Sequence, residues 1–71
     1  MNVPSNKNLI GRAEQFDDKM VRVYDKNGAH KFDLFGILYG HTETTVTIIN
    51  PIKKEQNTYN IYGNCIKSLK L

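Results

Sequence analysis

Seventy-one residues with a formal net charge of +3 make one small domain and leave no room for a second core. A chain of this size buries only about 60% of its unfolded surface, so its own core is marginal. A single cysteine excludes an internal disulfide, and no pair of ligands stands at structural-zinc spacing, which leaves association with further copies as the expected source of extra stability.

No apolar run reaches the length of a signal sequence or a membrane span, and the expected compartment is the cytoplasm. The charge is unevenly placed. Residues 1–50 carry six Lys/Arg and six Asp/Glu, whereas residues 51–71 carry Lys53, Lys54, Lys67 and Lys70 against Glu55 alone. The whole excess of +3 therefore lies in the last third. A solvated basic face and a polyanion-binding face are both compatible with this; repeated around an oligomer it would be a substantial positive field.

Taken in chain order, Pro4-Ser5 opens the first element, with Ser5 as a candidate N-cap. Leu9, Ile10, Ala13 and Phe16 recur at helical spacing, which predicts a short helix over about residues 5–16, weakened by roughly 1 kcal/mol at Gly11. Met20 to Tyr24 alternates, with Val21 and Val23 on one side, and reads as a half-buried strand. Asn27-Gly28 then marks a hairpin. The return strand runs from about Lys31 to Tyr39 with Gly36 inside it, and a glycine there marks a bend, a bulge or close backbone approach. His41 to Thr44 is the next turn.

Thr45 to Asn50 is β-branched and alternating, the clearest strand in the chain, and Pro51 ends it. Residues 51–57 read as a polar loop bearing Lys53 and Lys54. Two short runs close the chain, Thr58–Tyr62 and Cys65–Leu71, joined by the turn Gly63-Asn64. In the last run Ile66 and Leu69 are three apart, a spacing that strict strand alternation does not give; a strongly bent strand would reconcile it. The expected architecture is mostly β: a short N-terminal helix, then five antiparallel strands with the second bent, closing an SH3-like barrel. Cys65 is expected as a small buried hydrophobe.

The segment Ile61-Tyr62-Gly63-Asn64-Cys65-Ile66-Lys67-Ser68-Leu69 resembles the second sequence motif of the Sm-like (LSm) family, which includes the bacterial host-factor type RNA chaperones. Gly63, Asn64 and Ile66 match that motif, Leu69 matches conservatively, and Tyr62 stands where the family has Arg. Val21-x-Val23, the turn at Asn27-Gly28, Gly36-Ile37-Leu38 and Val46–Ile49 resemble the first motif. The resemblance covers residues 9–71, mostly through hydrophobic pattern and glycines. It implies an Sm-like fold, a homo-oligomeric ring and binding of single-stranded U- or A-rich RNA by a chaperone or processing scaffold. Counting on from Gly36, the family's pocket Asp, stacking aromatic and pocket Asn fall on Thr42, Thr44 and Val46. With Tyr62 in place of Arg, none of the four usual side chains is kept.

The RNA-binding residues the resemblance implies are therefore His41, Thr42, Thr44, Tyr62, Gly63 and Asn64, with Lys53 and Lys54 for phosphate. Tyr62 has two readings, a replacement base stacker or a residue packed on a neighbouring subunit. His41 in a polar turn is either a binding group or simply exposed. Tyr59, Ile61, Ile66 and Ser68 are the expected subunit interface, because the strand before Gly63 and the strand after Cys65 should each offer a free edge.

Asp17-Asp18 and Glu43 have no partnered base, and neither a phosphate-cradling glycine motif nor a nucleophile elbow occurs, so no enzyme, cofactor or metal is expected. The competing reading is a structural or protein-interaction module whose RNA pocket is lost. A third, an SH3-like monomer gripping a peptide, lacks an aromatic groove in the sequence.

Overall fold

A computed structural model describes residues 8–71, so Pro4, the Ser5 cap and the first part of the expected helix lie outside the described residues. Seven strands follow one another: β1 (Ile10–Gln15), β2 (Met20–Asp25), β3 (His30–Phe35), β4 (Ile37–His41), β5 (Thr45–Asn50), β6 (Glu55–Asn60) and β7 (Cys65–Lys70). They form two antiparallel meanders, β1-β2-β3 and β4-β5-β6-β7. The expected helix and five-stranded SH3-like barrel are both overturned: among the described residues there is no helix, and the two sheets do not close into a barrel.

The helical spacing around Ile10 has a β explanation. The β1–β2 register slips between Ile10 and Arg12, so Gly11 is an extra residue in the strand. Ile10 points into the core on one side of this bulge and Ala13 packs on the core on the other. An inward spacing of three thus mimics a helix turn. Gly11 is required here because a Cβ would collide with the Asp25 carbonyl and lie 2.8 Å from the Lys26 Cα. Phe16, the last member of the supposed apolar helix face, lies outside, with the Arg22 guanidinium 4.3 Å above its ring.

The expected bend at Gly36 is a break between sheets. Gly36 has φ +146°, and a Cβ there would lie 2.7 Å from both Ile48 Cδ1 and the Ile49 carbonyl oxygen. Its N–H donates to the Lys19 carbonyl at 2.6 Å, so the chain leaves the first sheet here and enters the second. The core lies between the sheets and consists of Ile10, Val21, Val23, Leu34, Val46 and Ile48. At the junction of β1 and β4 the Ile10 N–H donates to the Glu43 carbonyl at 2.7 Å.

The last strands also differ from expectation. The loop after Pro51 is short and β6 begins at Glu55, where a polar run, Glu55-Gln56-Asn57, forms strand all the same. β6 is paired with β5 on one side and β7 on the other, so the strand before Gly63 has no free edge. Cys65 is exposed, not buried.

Candidate functional site

The turns are built by side chains of the residues that open them. Asp25 Oδ1 accepts the N–H groups of Asn27 and Ala29 at 2.8 and 2.9 Å, and the Gly28 N–H returns to the Asp25 carbonyl at 3.1 Å. Asn60 repeats the design: its Oδ1 accepts Tyr62 N–H at 2.9 Å and Asn64 N–H at 3.0 Å, and Gly63 N–H returns to the Asn60 carbonyl at 3.0 Å. Gly28 and Gly63 take φ of +86° and +84°, the left-handed region that this turn needs. Thr42 Oγ1 accepts Thr44 and Thr45 N–H at 3.2 and 3.1 Å, and Asn50 Oδ1 accepts Ile52 and Lys53 N–H, both at 3.0 Å.

These turns sort the predicted residues by end of the molecule. Thr45 pairs with Asn60, so the β4–β5 and β6–β7 turns lie side by side at one end of the four-stranded sheet. His41, Thr42, Thr44, Tyr62, Gly63 and Asn64 are brought together there. The carboxylate of that end, Glu43, accepts Lys26 Nζ at 2.6 Å, and this bond holds it below the usual carboxylate range. Lys53 and Lys54 lie at the opposite end, a strand length away (roughly 15–20 Å), and do not join that group.

Within the group the roles divide. Thr42 and Gly63 are occupied by turn geometry, and Asn64 contributes its main-chain N–H to the Asn60 side chain. A Cβ on Gly63 would meet the Phe32 ring at 3.3 Å, so this turn rests on β3. Tyr62 is 71% exposed and points away from the core. Of the expected interface residues, Tyr59 and Ile61 are half-buried against the core, and burial pushes the Tyr59 hydroxyl pKa up.

Ile66 and Ser68 stand on β7, and β7 is the unusual element. Every residue from Cys65 to Lys70 is exposed, and among the described residues one long edge has no partner strand. β3 lies over β5, so the three-stranded sheet ends before it can cover β7. Ile66 is 57% exposed and Leu69 46% exposed. Leu69 pairs with Gln56 on the outward face, and Ile66 is the extra residue between Cys65 and Lys67, so both aliphatic side chains are left uncovered. A register slip opposite Tyr59 places a bulge at the start of β7 and leaves Lys67 to Lys70 regular.

Sequence reasoning placed Ile66 and Ser68 at the interface, but read Lys67 and Lys70 only as basic charge and Leu69 only as a motif position. The signal was present in the spacing of three between Ile66 and Leu69. The outward face of the four-stranded sheet follows from the register: the row Ile37, Ile49, Gln56, Leu69, then Thr47, Thr58 and Lys67. It carries no carboxylate. Among the described residues no group of His, Cys, Asp and Glu could hold a metal ion. No family model, curated protein or solved structure matches this chain.

Proposed function

We propose that this chain is a non-enzymatic interaction module that associates with copies of itself, with β7 as the docking strand. One observation carries the reading: among the described residues β7 is an edge strand exposed along its whole length, with Ile66 and Leu69 both uncovered. An unpaired edge presents a row of N–H and C=O groups that another strand can satisfy, and soluble monomers ordinarily blunt such edges. Here the blunting is partial, by Lys67, Lys70 and the bulge at the strand's start. Sedimentation equilibrium across the micromolar range tests it. The expected result is a mass above one chain; a monomer throughout overturns the reading.

A second reading, single-stranded U- or A-rich RNA, is favoured by the exposed Tyr62 ring at the end shared by the β4–β5 and β6–β7 turns. Stacking on one aromatic contributes about 1–3 kcal/mol per base and discriminates little between bases. Retention of labelled oligo-U and oligo-A at low and high salt, on the samples used for sedimentation, separates the two. Tyr62→Ala should abolish retention without altering mass. Absence of retention at low salt removes RNA and leaves the interaction module.

A further inference from the structure

We infer that the partner of β7 is β7 of a second copy, paired antiparallel about a two-fold axis at Ser68; the inference rests on the docking role of β7 proposed above. The hydrogen-bonding direction is fixed first. Leu71 N–H donates to the Lys54 carbonyl at 3.0 Å, toward the β6 side. Alternate residues of an antiparallel strand turn their N–H and C=O to opposite sides, so Ser68 and Lys70 turn theirs to the open edge. Lys67 and Leu69 turn theirs toward Thr58 and Gln56 of β6.

A two-fold axis perpendicular to the sheet sets outer-face residues against outer-face residues, which allows few registers. Centred on Ser68, the axis joins the two Ser68 main chains as a hydrogen-bonded pair. Within the regular stretch Lys67 then faces Leu69 of the second copy, once on each side of the axis. Each Lys67 lies across from an aliphatic side chain, along which its methylene stem can pack while the ammonium stays in water, and Lys70 keeps its own-chain partner Glu55, 3.4 Å away. A shift of the axis by one residue, to Lys67, sets the two Lys67 ammonium groups against each other, and like charges directly opposite are destabilising. The order Lys67-Ser68-Leu69 is thus complementary to its own reverse. Its self-complementarity is what selects a second copy over an unrelated strand. The product is a closed dimer with a continuous eight-stranded sheet, two copies of the four-stranded one.

Charge and cross-linking test the register. Leu69 lies beside uncharged Gln56 within its own chain, so a charge placed there reads mainly the partner's Lys67. Leu69→Glu should dimerise more tightly than Leu69→Lys by roughly tenfold or more, a gap that narrows with salt. In a Cys65→Ser background, a mixture of Lys67→Cys and Leu69→Cys chains should form the mixed disulfide on mild oxidation. Those positions form a non-hydrogen-bonded pair with Cα atoms about 4.5 Å apart, within disulfide range. Ser68→Pro removes an outward N–H, should leave the fold intact by circular dichroism, and should sediment as a monomer.

Lys67→Cys linking to itself as readily as to Leu69→Cys would overturn the register while leaving β7 as the docking strand. Assemblies larger than two chains would overturn the two-fold and indicate head-to-tail pairing of β7 with a different terminal strand. A wild-type monomer would instead overturn the docking role itself.

Discussion

The Gln15 side chain substitutes for a missing strand between the two sheets. Its Oε1 accepts the Leu38 N–H at 2.6 Å, and its Nε2 donates to the Gly36 carbonyl at 2.9 Å, so one amide makes both bonds a neighbouring peptide would make. The same Nε2 also reaches the carbonyls of Asp17 and Met20 at 3.1 and 3.2 Å. Gln15→Ala leaves these groups to water and should cost about 1–2 kcal/mol. Gln15→Glu keeps the acceptor but sets a carboxylate oxygen against three carbonyls, and should cost at least as much. Urea midpoints with an unchanged slope check this; an alanine variant as stable as wild type would remove Gln15 as the joint.

Gly28 and Gly63 make the same turn with different surroundings, which separates two costs. A Cβ at Gly28 meets nothing within 4 Å, whereas at Gly63 it presses the Phe32 ring at 3.3 Å. Gly28→Ala should therefore show the backbone term alone, about 1 kcal/mol. Gly63→Ala should lose more, and the excess should vanish in a Phe32→Ala background. A double-mutant cycle by thermal unfolding measures that coupling.

Much of this was legible from alternation. Val21 and Val23 on β2, and Val46 and Ile48 on β5, are buried at every second position, and both strands lie where the pattern puts them. β1 escaped because the bulge at Gly11 shifts the inward parity by one and imitates a helix turn. The beginning of β6 escaped because Asn57, 6% exposed, is a polar residue in the sandwich interior, which no hydrophobic pattern marks. Tyr62, read as the end of a strand, lies instead in the turn after Asn60 and is exposed. The separation of Lys53 and Lys54 from it was not legible either, because it depends on where β6 starts.

Asn57 itself carries a cost. Among the described residues its Oδ1 has no hydrogen-bond partner, and it is buried between Ile48 of β5 and Ser68 of β7 in register. An unsatisfied buried acceptor costs about 1–3 kcal/mol. Asn57→Val, which suits a strand, should raise stability by about 1 kcal/mol. A destabilised valine variant, measured by urea unfolding, would mean that the amide holds a contact worth more than its desolvation.

Two surface carboxylates contribute to the acid limb. Asp33 Oδ1 receives His30 Nε2 at 2.8 Å and Arg22 Nε at 3.4 Å, which hold its carboxyl below the ordinary range, as Lys26 does for Glu43. A carboxylate depressed in the folded state contributes stability above its unfolded pKa and loses it as pH falls through the folded value. The urea midpoint should therefore drop on acidification through and below the ordinary carboxylate range. Asp33→Asn and Glu43→Gln should each flatten that drop by a modest amount, since both pairs are solvated. A limb of unchanged steepness in both variants would assign it to other groups.

The break at Gly36 has a kinetic consequence. On either side of it each strand pairs only with its neighbours in sequence, so each meander can zip from its own turns with short loops to close. What remains non-local is the joining of the halves: Gly36 to Lys19, Gln15 to Leu38, and Ile10 to Glu43. The transition state is expected there. Substitutions at Gln15 should slow refolding, whereas changes in the Asp25 and Asn60 turns should partition by which hairpin has formed. β7 forms last or independently, because nothing in the core waits for it.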